Sequence, residues 1–219
     1  MRAIMESGFY VLYLVLIMFI GLKILLKGDK TKGLFGAACI VLGFGDAFHL
    51  IPRAVGLFSG TLDNPSATLN MWLGVGKLIT SITMTAFYLF LYRFIMARAE
   101  AKRGSGGDFF AVLLAVIRFA LCAMPQNGWA ENRQSVLWGT WRNIPFVILG
   151  IFVIILAFKY LKGIKHFKFL WLAIILSFAF YIPVVLFAGK YPIVGMLMLP
   201  KTICYLWIGF MGYKDLKAK

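Results

Sequence analysis

Acidic residues are scarce in this chain, with eight Asp and Glu among 219 residues against 23 Lys and Arg. Histidine occurs twice and cysteine three times. Cys39, Cys122 and Cys204 lie far apart and form no Cys-x-x-Cys pair, so neither a disulfide framework nor a zinc site finds the spacing it needs. Each falls in an apolar run, where cysteine reads as a small packing residue. Charge as a whole is thin at 14 %, and the hydrophobic share is 62 %. Soluble domains carry about 25 % charged and about 45–50 % apolar residues. A soluble enzyme, a disordered tail and a secreted disulfide scaffold are thereby excluded. Mean hydropathy of +0.87 points to lipid as the solvent.

A bilayer core needs about 20 apolar helical residues to cross it. Seven runs qualify: Phe9–Leu26, Gly33–Ile51, Met71–Phe94, Phe109–Met124, Ile144–Tyr160, Phe167–Phe187 and Tyr191–Tyr213. The fold class expected is therefore an all-α integral membrane protein, one transmembrane domain over residues 1–219. Pro125 ends the short fourth run, and Asp108 stands as its N-cap after Gly104-Ser105-Gly106-Gly107. The first run is a membrane helix and not a cleaved signal, because Lys23, Lys27 and Lys30 follow it in place of small residues.

The basic residues set the expected orientation. Lys23, Lys27, Lys30 and Lys32 flank the first connection. Arg93, Arg98, Lys102 and Arg103 flank the third, Lys159, Lys162, Lys165 and Lys168 the fifth, and Lys214, Lys217 and Lys219 the tail. Those fifteen share one side, while Arg2, Arg53, Arg133, Arg142 and Lys190 face the other. The positive-inside rule then puts the N-terminus outside and the C-terminus in the cytosol, in a bacterial cytoplasmic membrane. The net charge of +15 needs no nucleic-acid partner, because anionic headgroups satisfy it. His166 sits in a Lys-rich cytosolic turn and reads as solvated.

Three landmarks recur in order, which predicts an internal repeat. A basic turn, Leu26-Lys27-Gly28, matches Leu161-Lys162-Gly163. Ala47-Phe48-His49-Leu50-Ile51-Pro52 matches Ala179-Phe180-Tyr181-Ile182-Pro183, one residue shorter. Lys77 in the third run matches Lys201 in the seventh. The expectation is a 3+1+3 parallel repeat, with residues 8–94 and 143–213 as the halves and 108–125 as the linker helix. In arrangement this resembles the SWEET and PQ-loop group and the KDEL receptors, and in helix count the opsins. The one Pro-Gln pair, Pro125-Gln126, follows the linker and not a repeat helix, so the PQ-loop hallmark is missing.

Ionisable side chains inside a membrane cost about 2.5–3.5 kcal/mol at mid-span and mark function by default. Asp46, His49 and Arg53 share one face of the second helix. Lys77, Arg118 and Lys201 lie within the third, fourth and seventh runs, and Tyr181 stands where His49 stands in the other half. Asp46, His49, Lys77, Arg118, Tyr181 and Lys201 are the expected ligand-binding residues, around a cationic cavity in the outer half. Blander roles stay open: an Asp46 ion pair with Lys201 or Lys77, Arg118 snorkelling to lipid, Arg53 on headgroups, and His49 as a hydrogen-bonded helix-end residue. Trp129, Trp138 and Trp141 read as an aromatic belt. Pro52, Pro183 and Pro200 are candidate gating bends, with Pro200 placed mid-helix beside Lys201.

The function expected is a small carrier or ligand-binding receptor for an anionic small molecule or lipid headgroup, with no cofactor and no metal. One alternative is an intramembrane lipid-modifying enzyme, with Ser81 beside Lys77 as a weak Ser-Lys signal. The other is an opsin-like chromophore protein built on Lys201. Composition leaves the oligomeric state open.

Overall fold

The computed structural model describes residues 2–100, 105–133 and 135–218. Lys102, Arg103, Gly104 and Lys219, which entered the charge and turn assignments above, lie outside them. The described residues are mostly helical, joined by turns and loops, without a strand. The helices are α1 (Arg2–Lys27), α2 (Lys30–Phe58), α3 (Ala67–Arg98), α4 (Ser105–Ala123), α5 (Val136–Leu161), α6 (Leu170–Phe187) and α7 (Met198–Lys217). Short 3-10 turns at Pro125–Asn127 and Pro192–Leu197 precede α5 and α7. Seven segments are long and apolar enough to cross a membrane, the last including the second 3-10 turn. Large apolar side chains such as Val11, Val15, Phe19, Ile151 and Phe158 face outward, as lipid contact requires.

Local chemistry explains where helices begin and stop. Asp29 accepts the Lys32 N–H at 2.8 Å and starts α2, and Ser66 accepts the Leu69 N–H at 3.2 Å and starts α3. Gly60 follows α2 at φ 67°, a left-handed conformation that favours glycine. Several helices run past their apolar stretches: α2 reaches Phe58, α3 reaches Arg98 and α5 begins at Val136. Asp108 is not the N-cap of α4: it lies in the first turn, where it accepts the Tyr92 hydroxyl at 2.9 Å. The sixth helix starts at Leu170 and not Phe167, since residues 162–169 form the tight turn. Pro200 is not mid-helix. It occupies the first turn of α7, where a missing N–H breaks no intrahelical bond.

Packing closes a cycle: α1 against α2, α2 against α3, α3 against α5, α5 against α6, α6 against α7 and α7 against α1. Helix α4 lies against α3 and α5. Small residues permit the closest crossings. A methyl added at Gly36 would meet the Leu25 backbone N at 2.7 Å, and one at Gly76 would collide with the carbonyl of Phe48.

The two ends of the bundle differ. At the end holding the turn between α1 and α2 and the C-terminus, Phe35, Phe94 and Phe167 stack with ring centroids 4.9–5.5 Å apart. There Asp215, buried on α7, pairs with Arg98 at 3.2 Å and Lys32 at 3.8 Å, joining α2, α3 and α7. The basic residues Lys23, Lys27, Lys30, Lys159 and Lys162 ring this closed end. The opposite end, with the N-terminus, is hollow.

Candidate functional site

All seven helices contribute to a cavity of about 470 Å³ at the N-terminal end, within the range of about 300–1,000 Å³ usual for small-molecule sites. Asp46, His49, Lys77, Arg118, Tyr181 and Lys201 all line it. Five cationic side chains reach the space (Arg53, Lys77, Arg118, Arg142 and Lys201) against two carboxylates, Glu6 and Asp46. Every Asp and Glu of the sequence lies among the described residues, so no other side-chain carboxylate remains unplaced.

Lys201 is 5 % exposed. Its ammonium stands over the rings of Tyr181 at 4.8 Å and Tyr205 at 5.2 Å. Among the described residues it makes neither a hydrogen bond nor an ion pair within 4.0 Å. Asp46 lies within electrostatic range of it, but Asp46 instead accepts the Tyr13 hydroxyl at 2.6 Å. The ion pair expected between Asp46 and a lysine is therefore not formed. Nor does Lys77 supply it: Lys77 donates to Asn132 Oδ1 at 2.8 Å.

Arg118 is 1 % exposed and does not snorkel to lipid. Its guanidinium covers the Phe146 ring at 3.6 Å, a contact favourable for a desolvated cation. Asn143 Oδ1 takes one N–H at 3.5 Å, while Nε and Nη1 have no partner. The same Asn143 oxygen accepts the Tyr181 hydroxyl at 2.8 Å, so one amide couples α4, α5 and α6. His49 is not held as a helix end. Helix α2 continues nine residues beyond it, and its Nδ1 is buried without a partner.

Arg53 departs from its expected place among headgroups. It donates to Tyr10 at 2.9 Å and to Glu6 at 3.3 Å, fastening α2 to α1 at the rim. Arg142, expected on the outer surface, is buried. It donates to Asn127 at 2.7 Å and lies 4.5 Å over the Trp129 ring. Trp129 is half-buried and gives its indole N–H to the Cys122 carbonyl at 2.8 Å. Trp141 does face outward, at 53 % exposure. Glu6, Tyr10, Asn132, Arg142 and Asn143 were not anticipated as site residues. Nothing in the local sequence distinguishes them from charges and amides that meet water at a helix end.

No family model, curated protein or solved structure matches this chain. The likeness in helix number and order to SWEET proteins, KDEL receptors and opsins thus gains no support from relatives, and the site must be read from its chemistry. Ser81 is not poised against Lys77. Its hydroxyl donates to the Lys77 carbonyl at 2.8 Å, while the ammonium is turned to Asn132. Of the three prolines, Pro52 and Pro183 lie inside α2 and α6, six and four residues before those helices end. A further proline, Pro145, is buried inside α5.

Proposed function

We propose that this chain is a small polytopic membrane carrier or ligand-binding receptor whose cavity holds an anionic small molecule or lipid headgroup. The observation that carries the reading is the excess of five cations over two carboxylates around one hollow, with the Lys201 ammonium in it unpaired. Buried charge without a counter-ion is costly. A bound anion would offset that cost and would gain charge-assisted hydrogen bonds in a low-dielectric site. The lysines Lys77 and Lys201 would be its principal contacts, with Arg118, His49 and Tyr181 shaping the floor and Asp46 tuning the field.

The same reading places the N-terminus and cavity outside and the basic end in the cytosol of a bacterial membrane, on the strength of the uneven Lys and Arg distribution. It takes the matched positions of Lys77 with Lys201, and of His49 with Tyr181, as the trace of a 3+1+3 repeat. Bending at Pro52 and Pro183 would then alternate access. The decisive experiment is a thermal-unfolding screen of purified protein against phosphate, succinate and octanoate, with choline and ethanolamine as cationic comparators. Anions should raise the midpoint in wild type and fail to do so in Lys201→Met. Stabilisation by the cations alone would refute the assignment.

A further inference from the structure

One wall of the cavity is apolar throughout. The seven charged lining residues come from α1 to α5 and from Lys201, whereas the wall between Val184 and Leu199 presents no polar side chain. That wall consists of Val184, Val185, Met196, Met198 and Leu199, with Ala188 and two glycines. A Cβ built on Gly189 or Gly195 meets nothing within 4 Å, so neither glycine is packed against another element. Methionine is the most adaptable of the apolar side chains and fits itself to chains of varied shape. The wall ends at Leu199, two residues before Lys201, and at its other end Val184 stands three residues after Tyr181, whose ring lies under the Lys201 ammonium.

We infer that the ligand is an anionic amphiphile: an oxyanion head seated at Lys201, with an aliphatic chain laid along the apolar wall between α6 and α7. This rests on the anion-binding reading above and specifies what that reading leaves open. A wholly hydrophilic anion would satisfy the ammonium but would leave the wall wet, whereas a neutral alkyl compound would leave the ammonium unpaired. The head chemistry is shared by carboxylates and phosphate monoesters, so the source is separated by experiment.

Isothermal titration calorimetry of the full chain in nanodiscs, with empty nanodiscs subtracted, tests it. The probes are butanoate, hexanoate, octanoate and octyl phosphate, with inorganic phosphate, octanol and octylammonium as comparators. Affinity should rise about two- to fourfold per added methylene. Octanoate or octyl phosphate should bind at least tenfold more tightly than octanol, octylammonium or inorganic phosphate, and whichever head binds better identifies the source. Lys201→Met should weaken octanoate at least tenfold. Val185→Asn should flatten the chain-length series, weakening octanoate more than butanoate, whereas a general loss of folding would weaken every probe alike. A flat series, or phosphate binding more tightly than octanoate, overturns the amphiphile while leaving an anion site in place. Binding of octanol or octylammonium with no anion bound overturns both.

Discussion

Replacing Lys201 by Met should make the empty protein more stable and the liganded protein less so. The methionine keeps much of the side-chain volume and removes the charge. An ammonium within a span costs about 2.5–3.5 kcal/mol on insertion scales. Against this, the two rings at 4.8 and 5.2 Å return about 0.5–1 kcal/mol each, and Asp46 loses a through-space partner while keeping its Tyr13 hydrogen bond. The balance favours the variant by about 1 kcal/mol. An anion at a hundred times its dissociation constant stabilises wild type by about 2.7 kcal/mol, so its presence should reverse the order of the two proteins. Thermal unfolding in mild detergent, with and without a saturating anion, reads both signs. A variant less stable than wild type in anion-free buffer would refute the reasoning, because Lys201 would then be held by partners of its own. Arg53→Met provides the contrast. It removes the Arg53 ion pair to Glu6 and the hydrogen bond to Tyr10 at the rim, and should destabilise by about 1–3 kcal/mol with or without anion.

Other outcomes follow from the packing. Gly76→Ala drives a methyl into the Phe48 carbonyl and should cost about 1–3 kcal/mol, while Gly8→Ala, with nothing within 4 Å, should be neutral or stabilising by about 0.5–1 kcal/mol; equal effects in denaturant titrations would contradict the close crossing of α2 and α3. Tyr13→Phe leaves the Asp46 carboxylate without its donor, and a loss of about 1–2 kcal/mol is expected in the same assay. Asp215→Asn weakens the clasp with Arg98 and Lys32, so hydrogen exchange should accelerate at the ends of α2, α3 and α7 near that clasp and leave the cavity end unchanged.

The seven helices were legible because lipid demands long apolar runs, and such runs survive in the sequence without any knowledge of their neighbours. Five interior ionisable residues stood out for the same reason, since Lys201 or Arg118 amid apolar residues is conspicuous, and Tyr181 entered as the repeat counterpart of His49. The rim was less visible. Glu6, Arg53 and Arg142 sit near the ends of apolar runs, where a charge ordinarily meets water, and nothing local distinguishes an end that folds over a hollow from one that meets solvent. Helix limits erred in the same places, because α2 and α5 extend through those polar turns. Pro200 was misplaced because the change from 3-10 to α geometry before Met198 has no mark in an apolar stretch.

The segment linking α4 to α5 is fastened from both sides. Asn127 donates to the carbonyls of Leu121 and Met124 at 2.8 Å, and Asn132 receives Lys77 and donates to Asn70 at 3.3 Å. Conformational entropy on that flank is already spent before any guest arrives, so docking there incurs little ordering cost. The facing flank, from Ala188 to Leu199, has no comparable side-chain ties among the described residues. Accommodation of guests of different bulk therefore falls to this compliant flank, while the stiff one holds Lys77 in a fixed position.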